Sequence, residues 1–182
     1  MPRRDDVAER ARTSWLEAEP ARLDAERTAM AHACPDMRWT DELRWPNGRV
    51  GAGWEGHAPE WGGQRAQPPG VERLLDGRRL RLRAIYPEGF PMVPPELYPI
   101  EPEVPMDRRT QHRWHVNGDG SICLMRAAED WLPTDTAADL VLKTSGWFIE
   151  YLLVEDNDLD HMTERGVGAS GEIDALLAAK FA

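Results

Sequence analysis

The first stretch of the chain has apolar residues at helical spacing. Residues 3–33 are rich in Ala, Glu and Arg, and their apolar side chains recur roughly as one face of a helix requires. These apolar residues are Val7, Ala11, Trp15, Leu16, Leu23 and Met30. Pro20 interrupts the run, and a proline inside a helix removes a hydrogen bond and clashes with the preceding turn. The pattern predicts one kinked helix or two helices that meet at Pro20.

Between residues 35 and 99 the pattern changes to that of short strands and rigid connections. Weak antiparallel strands or loops are expected around 38–43 and 50–55. Residues 79–85 alternate charged and apolar side chains, the period of two that places one face of a strand on a core and the other in water. Residues 86–99 hold several prolines, which fix the backbone in an extended form. We therefore predict a rigid connection there, and neither a helix nor a central strand.

The last third of the chain returns to helical patterns after an irregular segment. Residues 106–135 are polar and rich in turn formers, and loops of this kind often carry function. Residues 136–153 predict an amphipathic helix, and residues 171–181 predict a short one. The expected inner positions of the longer helix are Leu140, Val141, Trp147, Phe148, Tyr151 and Leu152.

These elements predict an α+β fold in a single domain. We expect an N-terminal helix, a four-stranded antiparallel meander, the proline segment, a functional loop, and C-terminal helices packed on one sheet face. A length of 182 residues fits one domain with terminal extensions better than two domains. We divide the chain into an N-terminal helical segment at 1–33, a core at 36–155 and a C-terminal helical extension at 156–182.

Charge and composition exclude several classes of function. The formal net charge is -10, and no cluster of Lys and Arg is dense enough to follow a phosphate backbone, so we expect no nucleic-acid partner. No run of about 18 apolar residues and no signal peptide occur, so we expect a cytoplasmic protein with no membrane partner. In a reducing compartment Cys34 and Cys123 should both be free thiols. The preference for Arg over Lys suggests a bacterial source.

Three motifs stand in order around Cys123. Residues 86–95 begin with Tyr-Pro and end in Pro-Pro; residues 115–124 read His-Val-Asn-Gly-Asp-Gly-Ser-Ile-Cys-Leu; and Trp131-Leu132-Pro133 follows. In order and spacing these motifs resemble the ubiquitin-conjugating enzyme family, whose members have Tyr-Pro-x-x-Pro-Pro, His-Pro-Asn, Gly-x-Ile-Cys-Leu, and Trp-x-Pro eight residues beyond the cysteine. The resemblance covers roughly residues 40–155.

Two departures from the family pattern concern the loop before the cysteine. Val116 replaces the middle proline of His-Pro-Asn, and Asn117 lies six residues before Cys123 where the eukaryotic pattern has eight. A shortened loop resembles that of divergent bacterial conjugating enzymes, which occur in antiphage systems beside nucleotidyltransferases (CBASS) or in ubiquitin-like operons. The departures leave two roles open for Asn117, that of an oxyanion donor and that of a loop brace.

The resemblance implies an acyl carrier of the ubiquitin-conjugating (UBC-like) fold. Cys123 would accept a ubiquitin-like protein, or the C-terminus of a nucleotidyltransferase, as a thioester from an activating-enzyme-like protein, and would pass it to an amine such as lysine. His115 would hold the loop through hydrogen bonds. No cofactor and no metal are implied. The acid that assists the amine is left open among Glu129, Asp130, Asp156 and Asp158, with a slight preference for the last two.

Other interpretations of the same residues stay open. His112, His115 and Cys123 invite a zinc site, although no fourth ligand stands at regular spacing. A cysteine hydrolase would use Cys123 with one of the two histidines as its base. A catalytically silent scaffold of the same fold is the main rival, and the presence of the cysteine argues against it. Cys34 has no motif around it, so we expect an ordinary core or surface thiol.

The lysine content adds one expectation about self-modification. Lys143 and Lys180 are the two lysines of the chain. A carrier with so few lysines offers few sites for its own acylation. Heavy automodification at many positions in a mass spectrum would contradict this hypothesis.

Overall fold

The described part of the chain combines helices with a four-stranded antiparallel sheet. A computed structural model describes residues 14–124 and 131–182. Each strand is paired with the next one along the chain. The strands are β1 (Met37–Arg44), β2 (Val50–His57), β3 (Arg81–Ile85) and β4 (Glu96–Glu101). The predicted α+β class and the antiparallel meander are confirmed.

Within residues 14–36, two helices precede the sheet. They are α1 (Ser14–Ala18) and α2 (Pro20–Ala33). Pro20 stands in the first turn of α2, where the N–H that proline lacks would have no partner within the helix. The predicted division at this proline is confirmed for the described residues. Residues 3–13 of the predicted helix lie outside them.

The strands correct two expectations. The weak strands expected at 38–43 and 50–55 exist and are longer, because β1 and β2 each run for eight residues. The rigid connection predicted to reach residue 99 ends earlier, since β4 begins at Glu96 and contains Pro99. β4 lies at the end of the sheet order, where a strand needs ladder hydrogen bonds on one side only. This edge position explains why the strand tolerates a proline.

Short helical turns occupy connections that the sequence left irregular. α3 (Val71–Leu75) lies between β2 and β3. After β4 come a 3₁₀ turn at Met106–Arg108 and α4 (Gln111–Trp114). The prediction of an irregular segment at 106–135 is wrong for these two turns. Two further helices follow, α5 (Ala137–Glu155) and α6 (Asp174–Lys180).

α5 is the central helix of the fold. Thr136 and Asp139 form a reciprocal capping box at its start. All of the expected inner positions are buried, but so are 15 of its 19 residues, so the expectation of an amphipathic helix is wrong. The reason is that other elements cover it on several sides: α2 and α3 contact it, and the segment at 162–167 is hydrogen bonded to it. None of the described helices is both long enough and apolar enough to cross a membrane.

The two faces of the sheet differ in chemistry. Trp54, Leu82 and Leu97 belong to the main core that also contains the buried side chains of α5. On the opposite face Glu55 forms ion pairs with Arg81 and Arg83. The alternation predicted for residues 79–85 is therefore seen in β3, and it fixes which face of the sheet meets the helices.

A buried ion pair joins α2 to two distant parts of the chain. Glu26 is fully buried, and its Oε2 accepts hydrogen bonds from the Tyr86 hydroxyl at 2.7 Å and from the Ala137 backbone N–H at 2.8 Å. Arg22 Nη2 lies 2.8 Å from Glu26 Oε1, and Arg22 Nη1 donates to the Pro133 carbonyl at 2.8 Å. We name Glu26, Arg22 and Tyr86 the α2 tie. It fixes the end of β3 relative to the start of α5.

Burial governs how the α2 tie responds to pH. Burial raises the pKa of Glu26 above its usual range, although the Tyr86 hydroxyl, the Ala137 N–H and Arg22 act to lower it. The folded chain therefore holds this proton more tightly than the unfolded chain does. The stability that Glu26 contributes is greatest below its ordinary pKa and decreases as pH rises through the raised value.

We expect Glu26→Ala to destabilise the protein by about 3 kcal/mol at acidic pH, because it leaves Arg22, the Tyr86 hydroxyl and the Ala137 N–H without their common partner. The loss should be smaller at mildly alkaline pH. Urea unfolding at the two pH values measures it. Asp24→Ala, an exposed change on the same helix, is the matched control and should unfold close to wild type. Equal stability of the two variants would contradict a role for the α2 tie.

Candidate functional site

The loop around Cys123 is a short antiparallel hairpin. The Cys123 N–H donates to the His115 carbonyl at 2.7 Å, and the Asn117 N–H donates to the Ser121 carbonyl at 2.8 Å. Between these bonds Val116 and Ile122 form a β-bridge. The Ile122 N–H donates to the Leu97 carbonyl of β4 at 2.8 Å. We name residues 115–123 the cysteine hairpin. Its backbone is fixed both internally and against the edge of the sheet.

Asp119 and Gly120 shape the turn of the cysteine hairpin. Gly120 has φ +93°, a left-handed conformation that suits glycine. Asp119 Oδ1 accepts hydrogen bonds from the Ser121 N–H at 2.9 Å and from the Ser121 hydroxyl at 2.7 Å. Burial acts to raise the pKa of Asp119, but the two bonds from Ser121 lower it below its usual range. A charged carboxylate therefore holds the turn at neutral pH.

Both polar atoms of the Asn117 side-chain amide form hydrogen bonds. Its Oδ1 accepts a hydrogen bond from Gln111 Nε2 at 2.6 Å, and its Nδ2 donates to the Ser121 hydroxyl at 2.9 Å. These contacts join α4 to the far strand of the cysteine hairpin. Of the two roles that the sequence leaves open for Asn117, this geometry favours the brace.

The two cysteines lie in opposite environments. Cys34 is completely buried, and burial together with the nearby charge of Asp139 raises the pKa of its thiol to about 12. Cys123 is partly exposed, at the end of the cysteine hairpin. Because the thiolate is the nucleophilic form of cysteine, Cys34 is unsuited to chemistry in the folded protein. Cys123 is the thiol that a reagent can reach.

A groove of about 560 Å³ opens beside Cys123. Its volume lies in the usual range of pockets for small ligands, roughly 300–1,000 Å³. Four parts of the chain form its walls: residues 62–64, one face of α5, the segment at 162–169, and the cysteine hairpin with Leu124. We name this space the thiol groove. His115 and Cys123 are both among the residues that line it.

Glycines bring the walls of the thiol groove close together. The Gly62 N–H donates to the Ser145 hydroxyl at 2.8 Å, and a Cβ at Gly62 would lie 2.5 Å from the Leu142 carbonyl oxygen. A Cβ at Gly146 would approach Gly168 and Val167 at 3.3 Å. Backbone atoms therefore meet where side chains would otherwise fill the space. The glycines therefore let residues 62–64 and the segment at 162–169 pack directly against α5.

Buried polar contacts hold these walls in position. Glu150 of α5 is buried and accepts hydrogen bonds from the Thr163 N–H at 2.6 Å, the Thr163 hydroxyl at 2.9 Å and the Val167 N–H at 2.5 Å. Burial raises the pKa of Glu150 even though these bonds oppose the shift. The Trp147 indole N–H donates to the Trp114 carbonyl at 2.9 Å. α5 is thus joined to both the segment at 162–169 and the residue before the cysteine hairpin.

The Trp-x-Pro motif lies against the proline connection. The Trp131 indole is buried, and its N–H donates to the Pro91 carbonyl at 2.8 Å. Its ring centroid lies 6.3 Å from that of Phe90. Arg22 of the α2 tie donates to the Pro133 carbonyl. The motif therefore connects the proline segment to the start of α5.

The remaining sequence candidates lie elsewhere. The carboxylates of Asp156 and Asp158 both pair with Lys180, and neither lines the thiol groove. The imidazole ring of His112 packs against that of His161, with the two ring centroids 5.5 Å apart. Residues 14–124 and 131–182 contain no group of three or more His, Cys, Asp or Glu side chains that could hold a metal ion. Glu129 and Asp130 lie outside the described residues.

The thiol groove also contains residues that sequence reasoning missed. Lys143 on α5 and Glu164 in the segment at 162–169 both line it, as do residues 62–64. One signal in the sequence pointed to Lys143, because it is one of two lysines and precedes Trp147 by one helical turn. No local pattern marks Glu164 or residues 62–64, which reach the groove only through tertiary contacts.

No protein-family model matches the chain, and no curated protein matches it. The functional interpretation therefore depends on the residues and the geometry described above.

We expect iodoacetamide to alkylate Cys123 in the folded protein and to modify Cys34 at least about a hundredfold more slowly, since Cys34 is buried and its thiolate is scarce. Peptide mass mapping of the two sites measures the difference. Unfolding in urea should make the two rates similar, which serves as the control. Rapid labelling of Cys34 in the folded state would contradict the environments described here.

Proposed function

We propose that this protein is an acyl carrier of the ubiquitin-conjugating type. Cys123 accepts the C-terminal carbonyl of a ubiquitin-like protein, or of a nucleotidyltransferase, from an activating-enzyme-like protein and transfers it to a lysine amine. The single observation that carries the proposal is a partly exposed cysteine at the end of a fixed hairpin, beside a groove of about 560 Å³.

The arrangement of the fold supports a UBC-like assignment. The resemblance implies a helix, a four-stranded antiparallel meander, an active-site loop and then C-terminal helices. The described elements occur in that order, and Cys123 follows β4 and precedes the central helix α5. Two motifs of the family stand at the matching places in this order. They are Gly120-x-Ile122-Cys123-Leu124 and Trp131-x-Pro133. The shortened loop resembles that of bacterial conjugating enzymes in antiphage systems. A role in antiphage defence is therefore part of the proposal.

The groove supports transfer of a slender acyl chain. A protein C-terminus enters an active site as an extended backbone, and close approach of that backbone requires walls without large side chains. Five glycines and Ala169 are among the residues that line the thiol groove, so parts of its wall carry no side chain beyond Cβ. The acyl group would thus reach Cys123 past these small residues.

His115 and Asn117 are assigned positioning roles. His115 has a left-handed backbone conformation with φ +48°, and its carbonyl accepts a hydrogen bond from the Cys123 N–H. The conformation of His115 therefore helps to position the backbone of Cys123. Asn117 braces the cysteine hairpin through Gln111 and Ser121. Neither residue has to move a proton in this scheme. The oxyanion that forms during transfer requires donors close to the thioester, and backbone N–H groups are the usual source.

A silent scaffold of the same fold is the alternative function. A scaffold has no need for a reachable thiol, and a buried or replaced residue at position 123 would have favoured it. The partly exposed Cys123 favours the carrier.

We expect a peptide that ends in Gly-Gly, supplied as its 2-mercaptoethanesulfonate thioester, to exchange onto Cys123. Intact-mass analysis should show one adduct that dithiothreitol removes and that added lysine discharges. The adduct should persist long enough to be seen, whereas a hydrolase would release the peptide to water. Cys123→Ala should form no adduct, and Cys34→Ala is the matched control that should load like wild type.

The same assay tests whether Asn117 braces the cysteine hairpin. Asn117→Ala should slow loading and discharge by similar factors, several-fold each, because a loosened hairpin misplaces the thiol in both steps. Loss of discharge alone would instead assign Asn117 to the oxyanion. A wild-type protein that stays unmodified, or an adduct that survives in Cys123→Ala, would overturn the carrier function.

A further inference from the structure

We infer that Lys143 is an acceptor within the thiol groove, so that an acyl group carried by Cys123 can pass to the Nζ of this chain's own lysine. The inference rests on the carrier function proposed above and adds a modification site to it. The product is a protein acylated at one position, beside the thiol that delivered the group.

The two lysines of the chain are placed very differently. Lys180 Nζ pairs with Asp156 at 3.0 Å and also with Asp158. Both of these hydrogen bonds raise the pKa of Lys180, so it loses its proton less readily. Lys143 lines the thiol groove together with Cys123. An ion-paired ammonium is a poor nucleophile, and of the two lysines only Lys143 shares a space with the thiol.

Backbone contacts place Lys143 near the cysteine hairpin. The Cys123 N–H donates to the His115 carbonyl, and the carbonyl of the preceding residue, Trp114, accepts from the Trp147 indole. Trp147 follows Lys143 by four positions on α5, so the two side chains lie on the same face, one turn apart. Lys143 and Cys123 therefore belong to neighbouring walls of one groove.

The exposure of Lys143 agrees with an acceptor role. Its side chain is exposed, whereas Val141 and Thr144 beside it on α5 are buried. The ammonium stands on a flexible four-carbon stem, so its Nζ can move across the groove without any change in the helix. Glu164 also lines the groove, and a carboxylate there can take the proton that the amine must lose.

The transfer balances without any further reactant. The neutral Nζ attacks the thioester carbonyl carbon, an amide C–N bond forms, and the C–S bond breaks. The sulfur leaves as thiolate, and the proton lost by the amine passes to Glu164 or to water. No electron is gained or lost. An acylated Lys143 would occupy the thiol groove and prevent further loading, which makes the reaction self-limiting.

The test uses the full chain loaded with the Gly-Gly peptide thioester. Lys143→Arg and Lys180→Arg are matched variants, since both keep the positive charge and remove the nucleophilic amine. In wild type the adduct that dithiothreitol removes should convert with time into one that resists it, mapped to Lys143 by tandem mass spectrometry. Lys143→Arg should lower the ratio of resistant to labile adduct at least tenfold, and Lys180→Arg should behave like wild type.

Other outcomes separate this inference from the carrier function. Loading at Cys123 followed by stable acylation at Lys180 or at the α-amino group, or by a resistant adduct that persists in Lys143→Arg, would overturn the inference and leave the carrier function intact. Absence of any labile adduct in every variant would overturn both.

A second measurement does not depend on acyl transfer. Succinimidyl iodoacetate leaves a single acetyl unit between a sulfur and a nitrogen. We expect it to link Cys123 to Lys143 in the folded protein, and not Cys123 to Lys180. Failure to form the first link would show that the two groups do not meet, and would contradict the inference even if loading succeeds.

Discussion

The buried pair of Glu26 and Arg22 is the constraint on which the position of the functional site depends. One carboxylate oxygen accepts both the Tyr86 hydroxyl at the end of β3 and the first N–H of α5, while Arg22 binds carbonyl groups of the segment before α5. A carboxylate at a helix N-terminus also interacts favourably with the helix dipole. The α2 tie therefore fixes both flanks of the stretch that carries the proline segment, the cysteine hairpin and the Trp-x-Pro motif.

Within that frame the thiol is positioned by backbone rather than by side chains. The cysteine hairpin is hydrogen bonded to itself and to Leu97 of β4, and Asp119 closes its turn. On the other side α5 presents Trp147 to Trp114 and Glu150 to the segment at 162–169. A thiol held in this way loses little freedom when a partner binds, as the acyl transfer proposed above requires.

Local patterns predicted much of the fold because they report burial directly. The period of two in residues 79–85 located β3, and Thr136 marked the start of α5 within one residue. The same patterns misjudged Pro99, since an edge strand tolerates a residue that a central strand excludes. They also missed how completely α5 is covered, because that depends on α2, α3 and the segment at 162–167, which are distant in sequence.

The candidate site, like the fold, could be predicted from the sequence only in part. The motifs pointed to Cys123 and to the loop that carries it, since residue order and spacing are properties of the sequence alone, but they did not predict that this loop is a hairpin. They did not identify Lys143, Glu164 or the glycines at 62 and 63 as its neighbours. These residues meet through contacts such as that of the Gly62 N–H with Ser145 and those of Glu150 with Thr163, and no local pattern encodes such pairings.

The central claim is that the thiol of Cys123 opens into a groove that guides an extended chain. The most direct measurement is a crystal structure of the protein with a Gly-Gly-cysteamine peptide joined to Cys123 through a disulfide. We expect the peptide to lie extended in the thiol groove, along the residues of α5 and of the segment at 162–169 that line it. A peptide that points into solvent, with the groove left empty beside it, would contradict the account.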